Sequence, residues 1–449
     1  MGILNPFDPR RDGFSFQNFN TATLDWDLYR RTYLGIWPTN DPIAAPLDAA
    51  FFEIFTKCAA PGNCGGLSML TLTIWQLGGY FGFGSPAFFY AGGSDLHPPA
   101  GPTRTDLYQA LNILQARQFS APGIRNFIET VNAGELNDGV AAFTRIQDGL
   151  ASGDFHLLSL ANSLFGEAAH TVVPIRADVV GGTRTLHVWD PNRPYDDYPQ
   201  HYDNDLNKIV ITGPTQWRYD QTGGGLYSDG TIFDGSNNGW FFAVPSSETR
   251  HKASQPISVG FIIANLTLLF VSNTGEIAQV EDDQGRRLFA TAGENASRAD
   301  LETAADRRLM GAAPWPWTGG VSGAPTGVYL LHRPPGSAPL TVTVTGGDYR
   351  LRMLSAGQLT EITPTGPGRA TDRIRIEGDV ADRAVELRTS GSRRRFDVRH
   401  VQQAGEGDWQ SVRVRDALVT DDALRVDLPA AGASAHLSGS RVHRDVDVE

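Results

Sequence analysis

The spacing of apolar positions changes period part-way along the chain. Leu67, Leu70, Ile74 and Leu77 recur at three- and four-residue steps, which predicts a one-faced helix stopping at Gly78-Gly79. Leu107, Ala110, Leu111 and Leu114 form a second stripe, with Thr105 as its cap. Ile124, Phe127, Ile128 and Val131 form a third, and Phe143, Ile146 and Leu150 a fourth that ends at Gly153. From Phe155 onward the pattern becomes strand-like, over 155–160, 171–180, 183–189, 208–212 and 215–219. Helices first and strands later, with hairpin connections, imply an α+β domain in which helices pack on an antiparallel sheet.

Further along, the aromatics thin out. Short runs rich in Val, Thr and Arg alternate over 257–263, 267–272, 277–281, 328–332, 340–345, 349–354, 373–377, 384–389, 395–400, 411–415 and 424–428. Turn residues separate most of them, which predicts an all-β, sandwich-like C-terminal region. The polar stretch 246–256, ending in Pro, sets the boundary between domains at 1–250 and 251–449. The Pro/Gly/Trp-rich stretch 311–327 is a candidate divide between two β-sandwich modules.

A length of 449 residues agrees with two or three domains of about 150 residues each. The 38 basic and 50 acidic residues give a net charge of −12, which argues against nucleic acid as a partner, since counterion release needs clustered cations. No apolar run approaches the ~20 residues of a membrane span. The opening MGILNPFDPRRDGF lacks the apolar core of a secretory signal, so the expected location is cytoplasmic, with export by a dedicated secretion system as the alternative. Two cysteines, Cys58 and Cys64, exclude a disulfide-stapled scaffold. The acidic run 190–207 lacks the spacing of a calcium loop and reads as a solvated polar loop; no metal and no cofactor are expected.

Chemistry is suggested by PGNCGGLSML. Here a cysteine follows a Pro-Gly-Asn turn and opens a helix, where first-turn N–H groups and the helix dipole favour negative charge on sulfur. Two glycines after it allow close approach of another backbone or a substrate. A cysteine nucleophile needs a base, and the base an orienting group. His170 begins a strand in AHTVVPI, and the next strand, TLHVWDPNRP, ends in Asp190 and Asn192. A five-residue loop at 178–182 would set His170 opposite Asp190, whereas a two-residue Gly181-Gly182 turn would set Asp190 opposite Val173 and separate the pair. Pro174 inside the strand implies an edge or a bulge that shifts this register. His187, on the opposite face from Asp190, and His156 are the competing histidines. Cys58 reads as a small buried residue, or as a redox partner of Cys64.

The order of GNCGGLSM, AHTVVPI and VWDPNRP resembles the papain-like cysteine peptidases, in particular their bacterial C39-like branch; DGFSFQNF (12–19) and LNILQARQFS (111–120) add to the likeness, which covers roughly residues 12–245. The resemblance implies a papain-like fold, with Cys64 as nucleophile, His170 as general base and Asp190 orienting the imidazole. Asn192 is the alternative third member. The Cys64 N–H would serve the oxyanion. Such enzymes usually carry a Gln six residues before the nucleophile; here that position is Cys58, and Asn18 or Asn63 would have to substitute. Leu67 also stands where Met is frequent. The implied function is cleavage of peptide bonds in a protein or peptide substrate through a thioacyl intermediate. The alternatives are an effector that deamidates or transamidates glutamine, and an inactive papain-like binding protein. The β-rich region would then serve recognition or delivery.

Overall fold

The computed structural model describes residues 6–19, 25–59, 62–84, 105–161, 169–221, 232–235 and 239–256, and beyond these 266–273, 276–283, 287–290, 313–314, 328–332, 338–355, 357–365, 370–378, 383–390, 393–405, 408–420, 423–428, 436–438 and 446–448. It divides into two compact units. One takes the chain up to Pro38 and Phe52–Pro256; the other takes Thr39–Phe51 and most of the chain after Pro256. The expected strand at 257–263 lies outside the described residues.

The first unit is helical before it is β. Helix α1 (Trp26–Thr32) is capped by the Asp25 carboxylate on the Leu28 N–H. Helix α2 (Pro46–Ala59) belongs to the first unit only from Phe52 on, its residues up to Phe51 being counted with the second. Helix α3 (Cys64–Leu77) ends on Gly78 at φ 72°, a left-handed stop that glycine accepts without strain. Helices α4 (Thr105–Arg117) and α5 (Ala121–Asn132) follow, then α6 (Gly139–Ser152), capped by Asp138 and closed by Gly153. Thr105 is thus the first residue inside α4. Helices α1 and α2 were not anticipated above, although Leu47, Ala50, Phe51, Ile54 and Phe55 make a stripe in α2 that is buried throughout.

Seven strands follow: β1 (His156–Ala161), β2 (Ala169–Val180), β3 (Thr183–Trp189), β4 (Lys208–Gly213), β5 (Gln216–Asp220), β6 (Ile232–Asp234) and β7 (Phe241–Pro245). They form one curled antiparallel sheet in the order β7-β1-β2-β3-β4-β5-β6. Both its faces are buried. Phe14, Phe16, Phe19, Leu67, Leu70 and Leu111 pack with Val173 and Trp189 on one side. Ala142, Phe143 and Ile146 of α6 pack with Val172, Val188, Ile209 and Tyr219 on the other. Alternation along β2 and β3 therefore decides which core each side chain enters.

The β2–β3 ribbon turns at Gly181 and Gly182, with φ of 59° and 89°, so that Val180 pairs with Thr183. This is the two-residue turn, the alternative expected to separate His170 from Asp190. A bulge between Pro174 and Arg176 inserts Ile175 as an extra residue, and beyond it Val173 pairs with Trp189. The insertion changes parity. Extended past the end of β3, the register sets Asp190 opposite Val172, on the face His170 also occupies. The bulge also explains a proline in a central strand, where its missing N–H would otherwise break the ladder.

The second unit is β-rich, with strands β8 (Leu266–Asn273), β9 (Glu276–Asp282), β10 (Arg287–Ala290), β11 (Ala313–Pro314), β12 (Val328–His332), β13 (Leu340–Gly346), β14 (Tyr349–Ser355), β15 (Gln358–Pro364), β16 (Ala370–Glu377), β17 (Arg383–Thr389), β18 (Arg394–Gly405), β19 (Asp408–Val419), β20 (Leu424–Leu428), β21 (His436–Ser438) and β22 (Val446–Val448). Two sheets result, in the orders β11-β12-β8-β14-β15-β18-β19-β22 and β10-β9-β13-β16-β17-β20-β21. Strand β8 pairs with β12 and β14, and β9 with β13, so strands from both sides of 311–327 share each sheet; that stretch does not divide two modules. Side chains bridge the sheets. Tyr349 donates to Asp372 at 2.8 Å, Arg394 pairs with Asp372 at 2.9 Å, and Arg383 donates to Ser355 at 2.9 Å. Among the described residues no helix is long and apolar enough to cross a membrane.

Candidate active site

Cys64 is the first residue of α3 and is buried, with Asn63 before it. The helix start is wedged into place by close contacts. Gly66 donates its N–H to the Gln115 side chain at 2.8 Å, and a Cβ on it would lie 2.2 Å from the Leu111 carbonyl oxygen, so α3 and α4 meet backbone to backbone here. Gly65 is covered by the Gln118 amide, so of the two glycines one admits a neighbouring helix and the other a side chain. Ser68, one turn along, donates to the Thr171 carbonyl at 3.0 Å and ties α3 to the strand that carries His170.

His170 and Asp190 come together despite the two-residue turn. His170 Nε2 donates to Asp190 Oδ1 at 2.7 Å, and neither side chain has any solvent exposure. The Cys64 thiol acts electrostatically on the same ring, which brings Cys64, His170 and Asp190 into one site. Asp190 has further donors. Its Oδ1 also accepts the Asn192 N–H at 2.8 Å, and its Oδ2 accepts from the Tyr219 hydroxyl and the Gln221 amide. Tyr202 donates to the Arg193 carbonyl at 2.6 Å and faces the Asp190 N–H, which braces the loop from behind.

Burial by itself would lower the His170 pKa, but the Asp190 carboxylate and then the Cys64 thiol outweigh it and push it up to about 9. Burial would raise Asp190; His170, Arg193 and Tyr219 instead hold it down to about 2. At neutral pH the two are an imidazolium and a carboxylate in a dry environment.

Asn18 joins the two halves of the site. Its backbone N–H donates to the Pro191 carbonyl at 2.8 Å, and its Oδ1 accepts the N–H groups of Asn63 and Phe19, both at 2.9 Å. The Asn63 amide turns toward the Phe19 carbonyl, at 3.4 Å. Asn192 approaches Asp190 through its backbone, and its fully buried amide makes no hydrogen bond among the described residues, so Asp190 holds the ring. His187 lies on the other face, between Asp178 and Asp205 at 2.9 and 2.6 Å. His156 packs beside Gly149. Cys58 falls in the last turn of α2, and its side chain lies outside the described residues.

The acidic run differs from the expected solvated loop. Its first part, Asp190 to Pro194, is buried, and only the remainder carries exposed surface pairs such as Asp203 with Arg10. Among the described residues no three His, Cys, Asp or Glu side chains gather as a metal site. Sequence reasoning missed Tyr219 and Gln221. Their signal was the alternation in WRYDQ, which sends both to the face of Trp217. Compared with known proteins, the chain matches no family model, no curated protein and no solved structure.

Proposed function

We propose that the first unit is a papain-like cysteine peptidase, with Cys64 as nucleophile, His170 as acid and base, and Asp190 as the residue that orients the ring. The observation that carries this reading is a buried imidazole held by a carboxylate on one side and approached by a helix-start thiol on the other. Since Nε2 is committed to Asp190, Nδ1 is the nitrogen that exchanges protons with sulfur.

Nδ1 takes the thiol proton, and the sulfur attacks the scissile carbonyl, forming the C–S bond as the carbonyl π pair moves onto oxygen. The imidazolium gives its proton to the leaving amine as the C–N bond breaks. The neutral ring then takes a proton from water, the hydroxyl adds to the thioester, and sulfur leaves. The tetrahedral oxyanion needs two donors. The Cys64 N–H is free of intrahelical bonding as the first of its helix. The Asn18 amide supplies the second: two backbone N–H groups fix its Oδ1, which leaves its NH2 as the available donor beside Cys64. Asn18 thereby takes the part of the glutamine absent at position 58, and Asn63 serves to hold it.

The test uses the full chain and a mixture of quenched fluorescent peptides. Cleavage by the wild type, inhibition by iodoacetamide with alkylation of Cys64, and no cleavage by Cys64→Ala are the expected results. Ammonia release from glutamine peptides without chain cleavage would move the same residues to deamidation. No turnover of either kind, with Cys64 inert to iodoacetamide, would overturn the enzymatic reading.

A further inference from the structure

The outer face of the eight-stranded sheet in the second unit carries a hollow of about 620 Å³, within the ~300–1,000 Å³ range of small-ligand sites. Arg350, Arg399, Arg413 and Arg415 line it, against two carboxylates, Glu361 and Asp397. Its local charge is therefore positive, in a chain whose net charge is −12.

The arrangement of these arginines runs against sheet stability. Arg399 on β18 and Arg413 on β19 are direct cross-strand partners, where like charges destabilise a sheet. Asp397 pairs with Arg413 at 3.0 Å, and Glu361 pairs with Arg352 at 2.9 Å. Arg399 donates to the Pro42 carbonyl at 3.3 Å and forms no ion pair among the described residues. Beside it the Trp409 indole N–H is buried without an acceptor among the described residues, and the Thr363 and Ser411 side chains also line the hollow.

We infer that this hollow binds a carboxylated sugar chain, an oligosaccharide of uronic acids. A guanidinium presents paired N–H donors that match a planar carboxylate, which Arg399 still lacks. Trp409, Thr363 and Ser411 line the same hollow, a ring on which the C–H face of a sugar can stack and hydroxyls that can meet its own, whereas polyglutamate has no such face to stack. Ligand binding would offset the repulsion built into the Arg399–Arg413 pair.

The experiment is calorimetric titration of the full chain with oligogalacturonate, a neutral malto-oligosaccharide of equal length, a sulfated galactan oligosaccharide and a polyglutamate peptide. Oligogalacturonate alone is expected to bind well, less tightly as salt rises. Arg399→Gln should weaken it by about tenfold or more, the scale of a lost charge-assisted pair. The same variant should melt no lower than wild type, because a like-charge contact is relieved. Trp409→Ala should weaken binding, while Arg388→Gln on the other sheet and Cys64→Ala should leave it unchanged. Absence of uronate binding, equal binding by Arg399→Gln, or equally tight binding of the sulfated chain or polyglutamate would overturn the inference.

Discussion

Asp190 is where the site is most dependent on a single side chain, because four donors converge on one buried carboxylate. Asp190→Asn removes the charge that keeps His170 protonated. On the proposed peptidase reading, the alkaline limb of kcat/KM, expected near the His170 value of about 9, should then move down toward the ordinary histidine range, and kcat/KM itself should fall by about 10²–10⁴. Tyr219→Phe removes one bond to a charged acceptor, so urea unfolding at pH 7 should show a loss of about 1.5–3 kcal/mol, with Gln221 still in place. Linkage fixes the pH window. A histidine pKa raised on folding contributes stability in full below about 6.5 and loses it as pH climbs through about 9; a carboxylate lowered to about 2 contributes in full above about 4 and loses it below. Urea midpoints should therefore decline between pH 6.5 and 9.5, and His170→Gln should flatten that decline. Cys64, His170 and Asp190 were singled out in the sequence by residue type. Tyr219 and Gln221 were not, because polar groups on an alternating strand look alike whether they meet solvent or a buried carboxylate.

At the scale of elements, helix periods were legible in α3 and α6, although α3 is buried all round over Cys64–Ile74 rather than on one face, and the buried stripe of α2 went unread. Register was not legible. The turn that forms is the one that should have parted His170 from Asp190, and the pair meets only because Ile175 is an extra residue. Pro174 announced a departure from regular pairing, but its parity is set by packing on both sheet faces, which no local pattern encodes. Close approach of α3 and α4 gives a sharper test. Gly66→Ala forces a methyl against the Leu111 carbonyl, so it should cost about 1–3 kcal/mol in unfolding experiments and lower the rate of Cys64 alkylation as the helix start is displaced.

For the molecule as a whole, the contacts divide the chain into a helix-and-sheet unit and a β-rich unit, with Thr39–Phe51 assigned to the β-rich one. Nothing in that short segment's composition marks its allegiance; contacts such as the Arg399 bond to Pro42 carry it. The β-rich unit also holds a buried ion pair. Arg394→Met strands Asp372 between the sheets, where burial already raises its pKa, and should lower stability by about 3–5 kcal/mol in denaturant unfolding, while Arg394→Met with Asp372→Leu should recover most of the loss. In the first unit, the ribbon ends in an open tip, with Val179 and Val180 well exposed beside the paired glycines. The bulge lies between that tip and His170, and so insulates one from the other. A peptide epitope or dye-bearing loop grafted between Gly181 and Gly182 would ride on the protein as a handle, leaving sulfur and imidazole undisturbed.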